Sequence, residues 1–429
     1  MITTNIRNLM IRLLTISLFL TATTGCSSMK ASDLQDLLKN DQQEQIEEIK
    51  VQEQVRENTV NEPTITVAEE TDEAKEYITI SSAQLSETDR EQNNQSTGFY
   101  VYRTLNEEEK RIYAEILTIL TTFGENVLLS TIDTVMIDKA YQSVMLDHPE
   151  IFYVKGYSIT KITLAGILKK ITLSGVYTMT QDEKKLKEQL IEEKAQQYLL
   201  EISPDASDYE KIKYVYEYLI KHTEYDADSL ENQNISSVLL NQRSVCQGYA
   251  KTTQFLALKL GLDCMLAEGV VRGGQPHVWN IVRLDGQYYH VDTTWGDASF
   301  TMSQDSVTDV DASKGINYDY LCIPDEMIKR THEVQSIYQL PVCDSLEDNY
   351  YVREGIYFEL FDKDRLKQLF EQAYQNNQES VQLKCSDSEV YQEYYNYLID
   401  QQNIFEYLQD TTSIRYAEMK DQYSIIFYI

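Results

Sequence analysis

Between Pro276 and Trp295 the chain writes out a β-hairpin, and this hairpin limits the possible folds more than any bulk property does. Two strand-like runs, Pro276–Leu284 and Gln287–Trp295, flank Asp285-Gly286. An Asp-Gly pair is a strong two-residue turn signal, because both central positions need positive φ. With Leu284 facing Gln287, paired residue numbers sum to 571. His277 then faces Thr294, and Trp279 faces Asp292. Side chains alternate along a strand, so His277, Trp279, Ile281, His290 and Asp292 project from one face. Val278, Val282, Leu284, Tyr289 and Val291 project from the other, which reads as a core face. Asp292 is the diagonal neighbour of His277, at about 7–8 Å between Cα atoms, a gap that long polar side chains can bridge.

The partner for that face lies some thirty residues upstream, in Ser244-Val245-Cys246-Gln247-Gly248-Tyr249-Ala250. Ser244 and Gln247 have the S-x-x-Q spacing of a capping box. Thr253, Leu256 and Leu260 continue a helical pattern, and Gly261 stands where a helix ends in the left-handed conformation. Cys246 therefore falls in the first turn of a helix. There the unpaired N–H groups and the dipole favour a thiolate, and the same N–H groups can hold an acyl oxyanion. A thiol at a helix start, with a His and an Asp on one strand face, is what a Cys–His–Asp relay requires. Asn241 and Gln242 are positional candidates for a side-chain oxyanion donor. Trp279 and Trp295 read equally as cleft lining or core packing, and Asp226 with Asp228 as a metal pair or a solvated turn. His148, His222 and His332 show no partner, and His290 reads as a support residue.

The rest of the chain divides by composition. Arg7 and Arg12, the apolar run Leu13–Leu20 and small residues up to Gly25 form an export signal over 1–25, too short to span a bilayer. Cys26 follows directly, as in a bacterial lipoprotein signal, which predicts lipidation at Cys26 and anchoring to the outer face of the cell membrane; simple secretion is the alternative. Residues 26–97 are rich in Glu, Gln, Asp and Asn and read as a disordered acidic tether. A globular domain is expected over 98–343. It contains helices at Asn106–Phe123, Asp182–Ile202 and Asp208–His222, and strand at Lys170–Thr178. A small α/β appendage is expected over 344–429, with a helix near Arg365–Tyr374 and strands near Val381–Cys385 and Tyr423–Ile429. The formal charge of −31 argues against nucleic acid as a partner. Six cysteines are present and no CxxC, so a structural zinc site has little support. Cys264, Cys322, Cys343 and Cys385 read as buried free thiols.

Three motifs in order resemble the transglutaminase-like superfamily, enzymes of papain-like fold. They are Val245-Cys246-Gln247-Gly248-Tyr249-Ala250, His277-Val278-Trp279-Asn280, and Tyr289-His290-Val291-Asp292-Thr293-Thr294-Trp295. Asp147-His148-Pro149-Glu150-Ile151-Phe152-Tyr153 and Tyr318-Asp319-Tyr320-Leu321 add secondary support, and the resemblance covers roughly residues 100 to 330. It implies an α+β fold with N-terminal helices and the Cys-bearing helix packed on an antiparallel sheet. It makes Cys246 the nucleophile, His277 the base and Asp292 the orienting acid, with no cofactor and no metal. The expected activity is acyl transfer from peptide or glutamine amides of a protein or peptide substrate, to water or to an amine. A non-catalytic surface module that keeps the fold is the alternative, and a zinc hydrolase using Cys246, His277 and Asp292 as ligands is a third reading.

Overall fold

Alternation of β-branched and aromatic residues builds three larger sheets and one two-stranded pair among the described residues, and helices cover the larger ones. The computed structural model describes residues 64–69, 77–81, 84, 99–229, 232–297, 315–409, 411 and 413–429, and Val60–Ile429 forms one compact unit. The signal segment, Cys26 and most of the tether lie outside the described residues. Two stretches of the expected tether are strands, however. They are β1 (Thr64–Glu69) and β2 (Ile78–Thr79). Thr64-Ile65-Thr66-Val67 is β-branched throughout, and it runs parallel along the free edge of β4, Thr64 opposite Ser158. Backbone hydrogen bonding to an open edge is available even to a segment that buries no side chain.

The first sheet is completed by β3 (Val127–Leu128), β4 (Val154–Leu164) and β5 (Ile167–Tyr177), in the order β1-β4-β5-β3-β2. Helix α1 (Glu107–Thr122) covers it. Asn106 and Glu109 close a capping box at its start, and Ile112, Ile116, Ile119 and Leu120 are all buried. Then come α2 (Thr134–Asp147), α3 (Gln181–Leu199) and α4 (Asp208–His222). Short strands β6 (Glu224–Tyr225) and β7 (Arg243–Ser244) pair in parallel and lead into α5 (Cys246–Lys259).

The second sheet is antiparallel throughout, in the order β11-β10-β9-β8-β12. Its strands are β8 (Asp263–Val271), β9 (Pro276–Leu284), β10 (Gln287–Val291), β11 (Leu321–Ile323) and β12 (His332–Val334). The hairpin register is as expected, from Gln287 opposite Leu284 to Val291 opposite Asn280. It stops there, so the expected pairs His277–Thr294 and Trp279–Asp292 do not form. The reason lies in Asp292 itself. Its Oδ1 accepts from the Thr294 and Trp295 amides at 2.9 and 3.1 Å, turning the chain, while its own N–H donates to Tyr320 O. Both faces of this sheet are covered. Val282, Leu284, Tyr289 and Val291 pack with Ile212 and Tyr216 of α4 and Ala257 of α5. Trp279 and Ile281 pack with Tyr320, Met327 and Cys343 on the other side.

The C-terminal segment builds its own sheet, β13 (Tyr357–Phe358), β14 (Ser380–Cys385), β15 (Arg415–Met419) and β16 (Ser424–Tyr428), in the order β13-β14-β16-β15. Helices α6 (Lys363–Gln375) and α7 (Ser388–Tyr395) enclose a separate apolar core that includes Leu366, Phe370, Leu383 and Phe427. Cys264, Cys322, Cys343 and Cys385 are free and buried.

Candidate active site

Cys246 is the first residue of α5, but not by the capping box expected for it. The cap is Val245, which offers no side-chain hydrogen bond. Ser244 is spent elsewhere, with its Oγ donating to Asn232 O at 2.6 Å and lying 2.7 Å from Ser237 Oγ. Gly248 allows that arrangement, because a Cβ there would sit 1.8 Å from Ser244 Oγ. The far end follows the sequence reading. Gly261 has φ +79°, and the Gly261 and Leu262 amides donate to Leu258 O and Ala257 O, the pattern of a Schellman cap. Two ties fix this helix against the hairpin. Asn280 Nδ2 donates to Ala250 O at 3.0 Å, one turn beyond the sulfur. Thr253 Oγ1 meets Thr293 Oγ1 at 3.1 Å, beside the carboxylate.

His277 is the second residue of β9 and Asp292 follows the last residue of β10. Their side chains meet as His277 Nε2–H donating to Asp292 Oδ2 at 2.7 Å. Both are buried, at 4% and 1% exposure. With Nε2 committed to the carboxylate, Nδ1 is left for the Cys246 thiol, which lies close enough to act on the His277 ring's proton affinity. Cys246 itself is half-buried. Burial opposes charge on His277, but the Asp292 carboxylate and the Cys246 sulfur outweigh it and raise its pKa to about 10. Burial likewise opposes charge on Asp292, yet His277 and His332 hold its carboxyl well below the usual range. Sulfur, imidazole and carboxylate thus stand in series, able to pass a proton from thiol to ring while the carboxylate sets the ring's tautomer.

The residue that sequence reasoning left without a partner is the second histidine on that carboxylate. His332, at the start of β12, donates from Nε2 to the same Asp292 Oδ2 at 3.1 Å, and its Nδ1 lies 2.8 Å from Thr331 Oγ1. His148 and His222 also have partners, Glu150 and Tyr218 O. His290 behaves as a support. Its Nδ1 accepts from Trp279 Nε1 at 3.0 Å, and its Nε2 donates to Asp325 at 2.9 Å. Trp279 is fully buried and stacks on His277, ring centroids 6.0 Å apart. The cleft-lining alternative for Trp279 is therefore corrected to core packing. Trp295 is half-buried beside His277 and Tyr320. Asn241 and Gln242, the oxyanion candidates, are exposed turn residues. The Tyr225 phenol, not anticipated, lies close enough to Cys246 and Asp292 for both to act with burial in raising its pKa. The pairing Tyr225–Ser244 brings it there. Asp226 caps its own turn, accepting from the Asp228 amide, and pairs with Arg243.

Two groups of metal-capable side chains occur among the described residues, His277-Asp292-His332 and His290-Asp325-Cys343. In the first, nitrogen and oxygen stand 2.7 and 3.1 Å apart as direct hydrogen bonds. Zinc ligands each sit about 2.0–2.2 Å from the ion, which spreads them further apart than the shorter of these contacts. In the second, the proton that Trp279 gives to Nδ1 leaves Nε2–H as the donor to Asp325, so ligation through Nε2 would set two N–H groups against each other. Hydrogen bonding accounts for both groups.

Comparisons with known proteins match one stretch of the chain to a family. Residues 196–293 match the Transglutaminase-like superfamily. Kyphoscoliosis peptidase from Mus musculus and from Homo sapiens are each 28% identical to the chain over 106 residues, covering 21% of this chain and 16% of theirs. The chain thus spans well under a fifth of the length of these curated relatives. A solved TGase structure shares 16% identity and a TM-score of 0.24, over 39% of this chain and 50% of that one. The chain carries a transglutaminase-like domain of mixed α and β structure.

Proposed function

Taking a transglutaminase-like domain as the premise, we propose that this chain is an exported thiol-dependent acyl-transfer enzyme acting on peptide or glutamine amides. Cys246 is its nucleophile, His277 its proton carrier and Asp292 the group that orients His277. The observation that carries this reading is the buried His277–Asp292 pair, 2.7 Å between imidazole and carboxylate, beside half-buried Cys246 at the helix start. The Cys246 thiolate adds to the amide carbonyl, and the N–H groups at the mouth of α5 take up the oxyanion. His277, protonated, gives its proton to the departing amine as the C–N bond breaks, leaving a thioester. Neutral His277 then takes a proton from water or an incoming amine. That nucleophile attacks the thioester, and sulfur leaves as thiolate. Hydrolysis is the favoured outcome because water is always at hand. Half-buried Trp295 is proposed as substrate wall, and Cys26 as the lipid-bearing anchor; metabolic lipid labelling that is lost in Cys26→Ala tests the latter.

The test of the chemistry is to incubate the full chain with a peptide library, quench with acid and read adducts by mass spectrometry. An acyl group on the Cys246 peptide, absent from Cys246→Ala, is expected. Turnover of a library member with no Cys246 adduct, and unchanged in Cys246→Ala, would overturn the assignment.

A further inference from the structure

The carboxylate that orients His277 is shared. Asp292 Oδ1 is filled by two backbone amides, and Oδ2 receives His277 and His332 together. All three side chains are at most 4% exposed. His332 is tied in turn, with its Nδ1 accepting from Thr331 Oγ1 and that oxygen lying 3.5 Å from the Tyr320 hydroxyl. Burial, opposed by Asp292, moves the His332 pKa down, so the ring is neutral and its Nε2–H is a fixed donor. The titratable groups facing this assembly are Cys246 and Tyr225 on the sulfur side, with Tyr216, Tyr320 and His290 behind. Burial raises the pKa of the three phenols and lowers that of His290, so they are neutral near pH 7.

Building on the function proposed above, we propose that His332 is a positioning residue for that reaction, which donates to Asp292 Oδ2 in competition with His277 and so sets both the orientation and the proton affinity of His277. A hydrogen bond to a carboxylate stabilises its charged form and weakens it as an acceptor for others. With His332 in place, Asp292 pulls less on the His277 proton, and His277 can release that proton to a leaving amine and later act as a base. Without it, Asp292 turns its full acceptor strength on His277 and is free to rotate about Oδ1.

The test uses the full chain and iodoacetamide alkylation of Cys246 followed from pH 5 to 11. The upper step of the profile reports loss of the His277 proton, because a thiolate freed from imidazolium reacts faster. His332→Ala is expected to move that step upward by about one unit, a tenfold gain in proton affinity, while His332→Gln, whose amide can donate, restores the wild-type position. An unchanged step in His332→Ala overturns the proposal. Should His332→Ala fail to fold, ¹⁵N-histidine NMR of the wild-type chain decides. A neutral, Nε2-protonated His332 at pH 7 is expected, and a cationic or Nδ1-protonated ring overturns it. Failure of the underlying reading looks different, since Cys246 would then alkylate at neutral pH as fast in His277→Ala as in the wild type.

Discussion

Two residues past the sulfur, Gly248 does for the helix start what no capping side chain does. A Cβ at this position would meet Ser244 Oγ at 1.8 Å, Ser237 Oγ at 3.0 Å and Asn232 O at 3.1 Å, all engaged in buried hydrogen bonds. Gly248→Ala should therefore cost about 1–3 kcal/mol, visible as a lower thermal midpoint. The S-x-x-Q pattern misled at this point for a physical reason. A cap is a local bond, and Ser244 gives its hydroxyl to a carbonyl twelve residues away that no local pattern reveals. His277 carries a pH prediction. Its folded pKa lies near 10, above the ordinary value of 6.5. Its contribution to stability is thus full below pH 6.5 and is lost as pH climbs toward 10. His332 acts in the opposite sense, because its folded pKa is depressed, and its contribution is lost as pH falls below 6.5. Melting between pH 7 and 10 should show a wild-type decline that His277→Ala lacks.

Among the elements, the Asp285-Gly286 hairpin was the most legible. Its register follows from turn length alone, and the observed pairs obey it up to Val291. What could not be read was where it stops, since that depends on a carboxylate turning back on its own chain. Nor could β12 be read. It is three residues long, carries no alternation to detect, and brings His332 to Asp292 across forty residues. Gly269 is the hinge of that approach. It pairs with His277 on one side and Val334 on the other, and a Cβ there would lie 2.0 Å from the Glu333 carbonyl oxygen. Backbone does not yield cheaply. Gly269→Ala is expected to push β12 away, drawing His332 off Asp292 and moving the upper step of Cys246 alkylation to higher pH as His332→Ala does, with about 1–3 kcal/mol lost in stability. An upper step at the wild-type pH in a folded Gly269→Ala would contradict this.

At the scale of the whole molecule, the C-terminal sheet reaches the segment behind the site. Lys384 of β14 donates to Asp319 at 2.7 Å, both fully buried, and Ser424 of β16 bonds the same carboxylate. The neighbouring Tyr320 carbonyl receives the Asp292 amide at 2.9 Å. Composition showed the helix and strands of this segment, but not a lysine buried against Tyr318-Asp319-Tyr320. A buried cation is unexpected until its partner is known. Stranding one member of such a pair costs about 3–5 kcal/mol, whereas replacing both with apolar groups is often neutral. Urea unfolding should show that loss in Lys384→Met and its recovery in Asp319→Leu/Lys384→Met.

Acyl transfer at this site needs a thiol made reactive by the groups around it. Competitive iodoacetamide labelling of the native chain at pH 6, read by mass spectrometry, tests this most directly. Cys246 should label at least tenfold faster in the wild type than in His277→Ala, while Cys264, whose thiol burial holds well above its ordinary pKa, should label slowly in both. Equal labelling of Cys246 in the wild type and in His277→Ala would contradict it.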